Sequence, residues 1–306
     1  MTRAVFLGTP DEAVPALSVL RNIADVNLVI TRPDRPRGRS ARPQPSAVKE
    51  AALAAGLPVA QPDGAAALTE ALRSLPEQPE VGLVVAFGML LRPEALQVPR
   101  RGHLNLHFSL LPRWRGASPV TAALLGGDKE TGVSLMQMDE GLDRGPVLAS
   151  TRMPIPESAD RGSLSAELAD RAAALLSQSW EPFLAGDLIP VAQDESNATY
   201  APKLGDSDRR LRLDDPPEAF VRRVRAFGPR PGAYLFIDGA RHKVLAARVA
   251  EGQSPPGSLE VAAGGALLCG TGGGVVELLR IQLEGRRPMN AADWLRGRRP
   301  RPGSAS

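Results

Sequence analysis

The sequence has 306 residues, 43% hydrophobic and 23% charged, a balance that excludes a disordered chain or a fibre and a length that suggests two domains. Thirty glycines and 29 prolines fall without a repeat, which excludes collagen, and the single cysteine, Cys269, excludes an internal disulfide and points to a reducing, cytoplasmic compartment. The net charge of +3 hides an asymmetry: from Asp206 onward 17 basic residues face 11 acidic ones, a net of +6, while the earlier part carries 20 against 23, a net of −3, which suggests a polyanionic partner met by the C-terminal part.

The opening run Ala4–Leu7 meets Asp11 and Glu12 within a few residues, so it reads as a strand and not as a signal peptide. Gly8-Thr9-Pro10 and the helical spacing of Val14, Leu17 and Leu20 make a strand, tight turn and helix. Gly8 stands without the GxGxxG pattern and no P-loop is present, so neither a dinucleotide nor ATP is expected. Val26–Thr31 is a second strand. It runs into Arg32–Arg42, a loop with five arginines, one Asp, two prolines and a glycine. Ser46 caps a helix that ends at Gly56, Leu57–Ala60 is a brief strand, and Val81–Ala86 is apolar throughout, as in a strand buried on both faces. No apolar run approaches the roughly 18 residues of a membrane span.

Leu164–Leu184 reads as a long helix and Ile189–Gly205 as a polar connector. After a helix over Asp215–Phe227 come short β-type runs joined by glycine turns, at Ala233–Ile237, Lys243–Val249, Ala266–Leu268 and Gly274–Leu283. The fold class is therefore α/β. A Rossmann-like, mostly parallel sheet forms the N-terminal domain (1–188), followed by a linker (189–205) and a smaller OB-like β-barrel (206–306).

Chemistry concentrates in Gly102–Gly116. Strand alternation over Leu104-Asn-Leu-His107 sets the two leucines on one face and Asn105 with His107 on the other. A carboxamide N–H donates to negative charge developing on oxygen, and an imidazole moves protons near neutral pH. A carboxylate to orient the imidazole is expected from the acidic turn after Val133–Met138, where Asp139, Glu140 and Asp143 compete. His103, at the start of the strand, is read as structural and His242 as solvent-exposed. No acidic or His cluster has metal-ligand spacing, so no metal is expected. Cys269 is read as a small hydrophobe.

Asn105-Leu-His107-Phe-Ser109-Leu-Leu-Pro112-x-x-Arg115-Gly116, followed by Gly141-Leu-Asp143-x-Gly145, resembles the active-site signature of the 10-formyltetrahydrofolate-dependent formyltransferases. The resemblance implies formyl transfer, with Asn105, His107 and Asp143 as the catalytic trio. It also implies a folate site lined by Ser109, Leu110, Leu111 and Pro112 and by Phe87, Gly88 and Leu90. Phe6-Leu-Gly-Thr-Pro-Asp11, the Arg32–Arg39 loop, Trp114–Pro119 and Arg225-Ala-Phe227 with Pro231 resemble the branch that acts on initiator methionyl-tRNA. That likeness implies tRNA contacts from the basic loop, with Arg35, Arg37, Arg39 and Arg42 as the phosphate-binding residues, in a monomeric, cytoplasmic enzyme. Among the C-terminal arginines Arg222, Arg223, Arg286, Arg287, Arg298 and Arg299, phosphate contact is expected of the group, and each one alone reads as a solvent-exposed charge. A small amine, such as that of an amino sugar nucleotide, is the alternative acceptor. Phe108 departs from the family pattern, which has a small residue there. Strand alternation points its side chain away from Asn105 and His107.

Overall fold

A computed structural model describes residues 1–36, 42–297 and Ala305. Close contacts divide the chain into two compact units. One comprises Met1–Pro119, Glu130–Pro154 and Ser165–Pro202, and the other Val120–Lys129, Ile155–Leu164 and Lys203–Ser306.

The elements begin with β1 (Arg3–Gly8), α1 (Val14–Ile23), β2 (Asp25–Ile30), the short pair β3 (Arg35–Pro36) and β4 (Pro43–Gln44), α2 (Ala47–Ala54) and β5 (Val59–Ala60). They continue with α3 (Ala65–Arg73), β6 (Val81–Val85), α4 (Pro93–Leu96), β7 (His103–His107), β8 (Arg115–Gly116) and α5 (Pro119–Gly126). Next come β9 (Glu130–Gln137), β10 (Val147–Pro154), α6 (Arg161–Ala185) and β11 (Tyr200–Ala201).

The central sheet runs β10-β9-β7-β6-β1-β2-β5. The five strands from β7 to β5 pair in parallel, while β9 and β10 add an antiparallel edge. The parallel strands are apolar because both faces are covered. Val5, Leu7, Ile30 and Val84 pack with Leu68 and Leu72 of α3 and Ala95 of α4, and the alternate residues Ala4 and Phe6 are equally buried. The chain crosses from β1 outward to β2 and β5, then returns to β6 on the other side. That reversal makes the carboxyl ends of β1 and β6 the switch point of the sheet, the position at which open α/β sheets bind ligands. The Ser46 cap forms as expected, accepting from the Lys49 amide at 3.0 Å. The sequence reading missed α3 and β10.

The second unit carries α7 (Pro217–Phe227), β12 (Ala233–Ile237), β13 (Ala240–Ala250), β14 (Leu259–Val261), β15 (Leu267–Thr271), β16 (Gly274–Leu283), β17 (Met289–Asn290) and α8 (Ala291–Gly297). Its sheet is antiparallel in the order β12-β13-β16-β15-β14, with β17 on β16. Ala305 reaches both edges: it bridges Ile237 of β12 and donates its N–H to the Gly257 carbonyl just before β14. Cys269 is wholly buried on β15, and that burial pushes its thiol up to about 12. Among the described residues no helix is long and apolar enough to cross a membrane.

His242 departs from its sequence reading. It is wholly buried, its ring set edge-on to Trp294 at 5.4 Å, and Nδ1 hydrogen-bonds the Ala240 carbonyl at 2.8 Å. A wholly buried ring packed edge-on against an indole is a core side chain. His103 is also wholly buried, and burial, only partly offset by the Leu96 backbone, lowers its imidazole to about 4.

Candidate active site

Asn105 and His107 lie at the carboxyl end of β7, which pairs with β6 on one side and β9 on the other. Both are nearly buried, at 9% and 6% exposure, so water competes weakly for their polar atoms. Asp143 comes from the turn between β9 and β10. Its Oδ1 accepts from Asn105 Nδ2 at 3.3 Å, and its Oδ2 lies 3.7 Å from His107 Nδ1. The three groups therefore converge on one point.

The other two acids of that turn do different work. Asp139 Oδ1 accepts from the Gly141 amide at 2.9 Å, closing a local Asx turn, and Glu140 is exposed.

The hydrogen-bond pattern constrains the imidazole. His107 Nε2 lies 2.9 Å from the Trp114 carbonyl oxygen, and a carbonyl only accepts, so Nε2 carries a hydrogen and donates it. Nδ1 then faces the Asp143 carboxylate.

Two residues hold this geometry in unusual backbone conformations. Trp114 has φ +61°, a left-handed value that costs a bulky L-residue roughly 1 kcal/mol or more, and Asp143 has φ +50°, which aspartate tolerates better than most side chains. The surroundings are well defined. Gly116 donates its amide to Asp143 Oδ2 at 2.7 Å, and Gln193 Nε2 donates to the carbonyls of Asp143 at 2.8 Å and Gly145 at 2.7 Å. A side chain on Gly145 would lie 1.8 Å from the Gln137 carbonyl oxygen, so only glycine allows this turn to pack on β9.

Behind Gln193 stands Arg115, wholly buried. Its Nε and one terminal nitrogen donate to Gln193 Oε1 at 3.0 and 2.9 Å, and a fork to Glu195 closes at 3.0 Å on each oxygen. The guanidinium holds Glu195 below the usual carboxylate range. The sequence reading gave no role to Gln193, Glu195 or the Arg115 side chain. Arg115 and Gly116 stood within the signature, but Gln193 had no local signal, being 50 positions from Asp143.

The residues expected around folate form two groups. Ser109 is buried; its hydroxyl donates to the Arg113 carbonyl at 2.6 Å, so it shapes the turn. Leu110, Leu111 and Pro112 follow half-buried, the Leu111 amide donating to Ser134 Oγ at 3.1 Å. Just beyond β6, Phe87 is 2% exposed and packs in the core, leaving its carbonyl to accept from Thr9 Oγ1 at 2.9 Å. The Gly88 carbonyl accepts from Arg32 at 2.9 Å, and the Leu90 side chain is 68% exposed. Phe108 is buried.

Of the expected tRNA contacts, Arg37 and Arg39 lie outside the described residues, as do Arg298 and Arg299. Arg35 and Arg42 are exposed at the root of the loop, where β3 pairs with β4. A polar cluster fixes that root: Thr31 and Ser46 share a buried hydroxyl contact at 2.7 Å, and Asp34 accepts from Lys49 and Gln61 at 2.7 Å each. Lys49 and Gln61 hold the Asp34 carboxyl below its ordinary value.

Arg222 and Arg223 are occupied within the second unit, donating to the carbonyls of Leu125 at 3.2 Å and Asp208 at 2.8 Å. Each of these bonds uses one N–H of a guanidinium that carries five. Arg286 and Arg287 are exposed. Among the described residues no three His, Cys, Asp or Glu side chains gather as a metal site.

Comparison with known proteins gives a consistent result. Residues 3–179 match the formyl transferase family and residues 203–299 its C-terminal domain family. A methionyl-tRNA formyltransferase of Thermus thermophilus is 45% identical over 304 residues, 99% of this chain and 98% of that protein. One from Sorangium cellulosum is 41% identical, covering 97% of this chain and 96% of its own. The crystal structure of a sugar 3N-formyl transferase, solved in the presence of dTDP and 5-N-formyl-THF, shares the fold with a TM-score of 0.68. It is 18% identical and covers 94% of this chain and 99% of that one.

Proposed function

Starting from membership of the formyl transferase family, to which this chain belongs, we propose that it moves a formyl group from 10-formyltetrahydrofolate to the amino group of methionine on initiator methionyl-tRNA. The activity is one-carbon group transfer in translation initiation. The observation that carries the reading is the convergence of Asn105, His107 and Asp143 at a strand end, in a chain alike over its full length to methionyl-tRNA formyltransferases.

The chemistry asked of these residues is direct transfer. The free α-amine attacks the formyl carbon, negative charge grows on the formyl oxygen, the bond to N10 breaks, and the proton lost by the amine is regained at N10. Asn105 Nδ2 has two hydrogens. One faces Asp143, and the other is the donor assigned to the formyl oxygen. His107, with Nδ1 turned to the Asp143 carboxylate, takes part in moving the proton, directly or through water. No covalent formyl-enzyme is required.

The exposed Leu90 side chain beside the backbone of Phe87 and Gly88 suits the flat, partly apolar ring of a folate, and Ser109–Pro112 shapes the approach to the trio. Arg35, Arg37, Arg39 and Arg42 supply phosphate contacts to tRNA, joined by the basic C-terminal domain. Residues 1–188 are assigned to catalysis and 206–306 to tRNA binding, with 189–205 joining them.

The test is transfer of labelled formyl from 10-formyltetrahydrofolate to charged initiator tRNA, run beside an amino sugar nucleotide. The proposal expects product on tRNA alone and its loss in Asn105→Ala; product on the sugar amine alone would replace this reading with that of a small-amine enzyme.

A further inference from the structure

We infer that Gln193 is a positioning residue for Asp143, its side-chain amide locked by the buried Arg115 so that it holds the Asp143–Gly145 turn against the end of β7. The inference rests on the reading of Asp143 as part of the reacting trio.

Gln193 uses the hydrogen-bonding capacity of its amide in full. The nitrogen donates to the carbonyls of Asp143 and Gly145, and the oxygen accepts two hydrogens from Arg115. Such an amide cannot be turned over, because rotation by half a turn would set its NH2 against a guanidinium and its oxygen against two carbonyls. Arg115 is fixed in turn, wholly buried and forked to both oxygens of Glu195. A rigid chain of contacts therefore runs from Glu195 through Arg115 and Gln193 to the backbone on both sides of Arg144.

That backbone has to be placed accurately. Asp143 sits at φ +50°, a left-handed conformation that aspartate tolerates but that sets the direction of its side chain. Its carboxylate must meet Asn105, His107 and the Gly116 amide together. A shift of about 1 Å in a positioning element costs catalysis on the order of a hundredfold. The hydrogen bonds of Gln193 go to Arg115 and to the Asp143 and Gly145 carbonyls and not to the trio's side chains, so its effect passes through the Asp143 backbone.

The experiment compares Gln193→Ala, Asp143→Asn and the double variant by single-turnover formyl transfer, with KM measured for both substrates. Gln193→Ala is expected to lower kcat about tenfold or more with both KM values within about twofold, and to add nothing further in the Asp143→Asn background, because residues acting as one unit are non-additive. Gln193→Glu keeps the shape and the Arg115 contact while opposing two carbonyls with an acceptor, and carries the same comparison should the alanine variant not fold. Gln193→Asn, re-forming part of the contact, should recover part of the rate. A kcat within twofold of the parent, or losses that multiply in the double variant, overturns the inference. A small effect of Asp143→Asn by itself would instead overturn the assignment of Asp143.

Discussion

Gly116 donates its backbone N–H to Asp143 Oδ2 at 2.7 Å from a φ of +112°, and a Cβ on that glycine would stand 2.6 Å from the Ala201 carbonyl oxygen. The donor that steadies the carboxylate therefore exists because this position has no side chain. Gly116→Ala must both strain the backbone and push β8 from β11. A stability loss of about 1–3 kcal/mol is expected, with kcat falling tenfold or more. Calorimetry and the formyl-transfer assay check the two effects separately, and a variant with parental kcat would show that the Gly116 amide is dispensable.

Asn105→Ala removes the carboxamide donor from a nearly buried site while leaving the strand's backbone pairing with β6 and β9. Its kcat should drop by about 10²–10³, the usual cost of one such donor, with KM for folate little changed. A fall in affinity with kcat preserved would assign Asn105 to binding.

The loop arginines should act through phosphate charge. Replacing Arg35, Arg37, Arg39 and Arg42 with alanine is expected to flatten the dependence of log tRNA affinity on log salt, by about 0.9 for each phosphate contact removed from a duplex stem. A slope unchanged in the variant would mean the loop meets no phosphate. The buried Thr31–Ser46 contact and the Asp34 cluster keep the loop root in place in this comparison, since none of their side chains is altered.

His103 gives the protein an acid-labile point. Burial lowers its imidazole to about 4 from the ordinary 6.5, so the fold keeps it neutral while the unfolded chain takes up a proton first. Stability from this group is fully present above 6.5 and lost as pH falls toward 4. The loss between pH 7 and pH 5 is about 2 kcal/mol. Urea unfolding at both pH values should give a larger drop for the parent than for His103→Gln, and equal drops would remove His103 from the acid response.

Asp139, Glu140 and Asp143 illustrate where local reading stops. All three stand in one glycine-rich turn, and turn chemistry accounts for each equally well. The signature resemblance favoured Asp143, and the fold supplies the physical difference: Asp139 folds back on Gly141, Glu140 faces solvent, and Asp143 reaches Asn105 and His107. His242 is the converse, a polar residue in a basic stretch that tertiary packing seals against Trp294.

Short-range order carried much of the architecture. The unbroken apolar stretch of β6, the alternation on β7 that separates two leucines from Asn105 and His107, and the Ser46 cap follow from backbone periodicity and local hydrogen bonding, so they were legible residue by residue. The antiparallel edge β9–β10, the Gln193 and Arg115 support and the burial of His242 depend on partners far along the chain. Such contacts leave no periodic mark at either end, and only the folded chain, by closing those long loops, decides them.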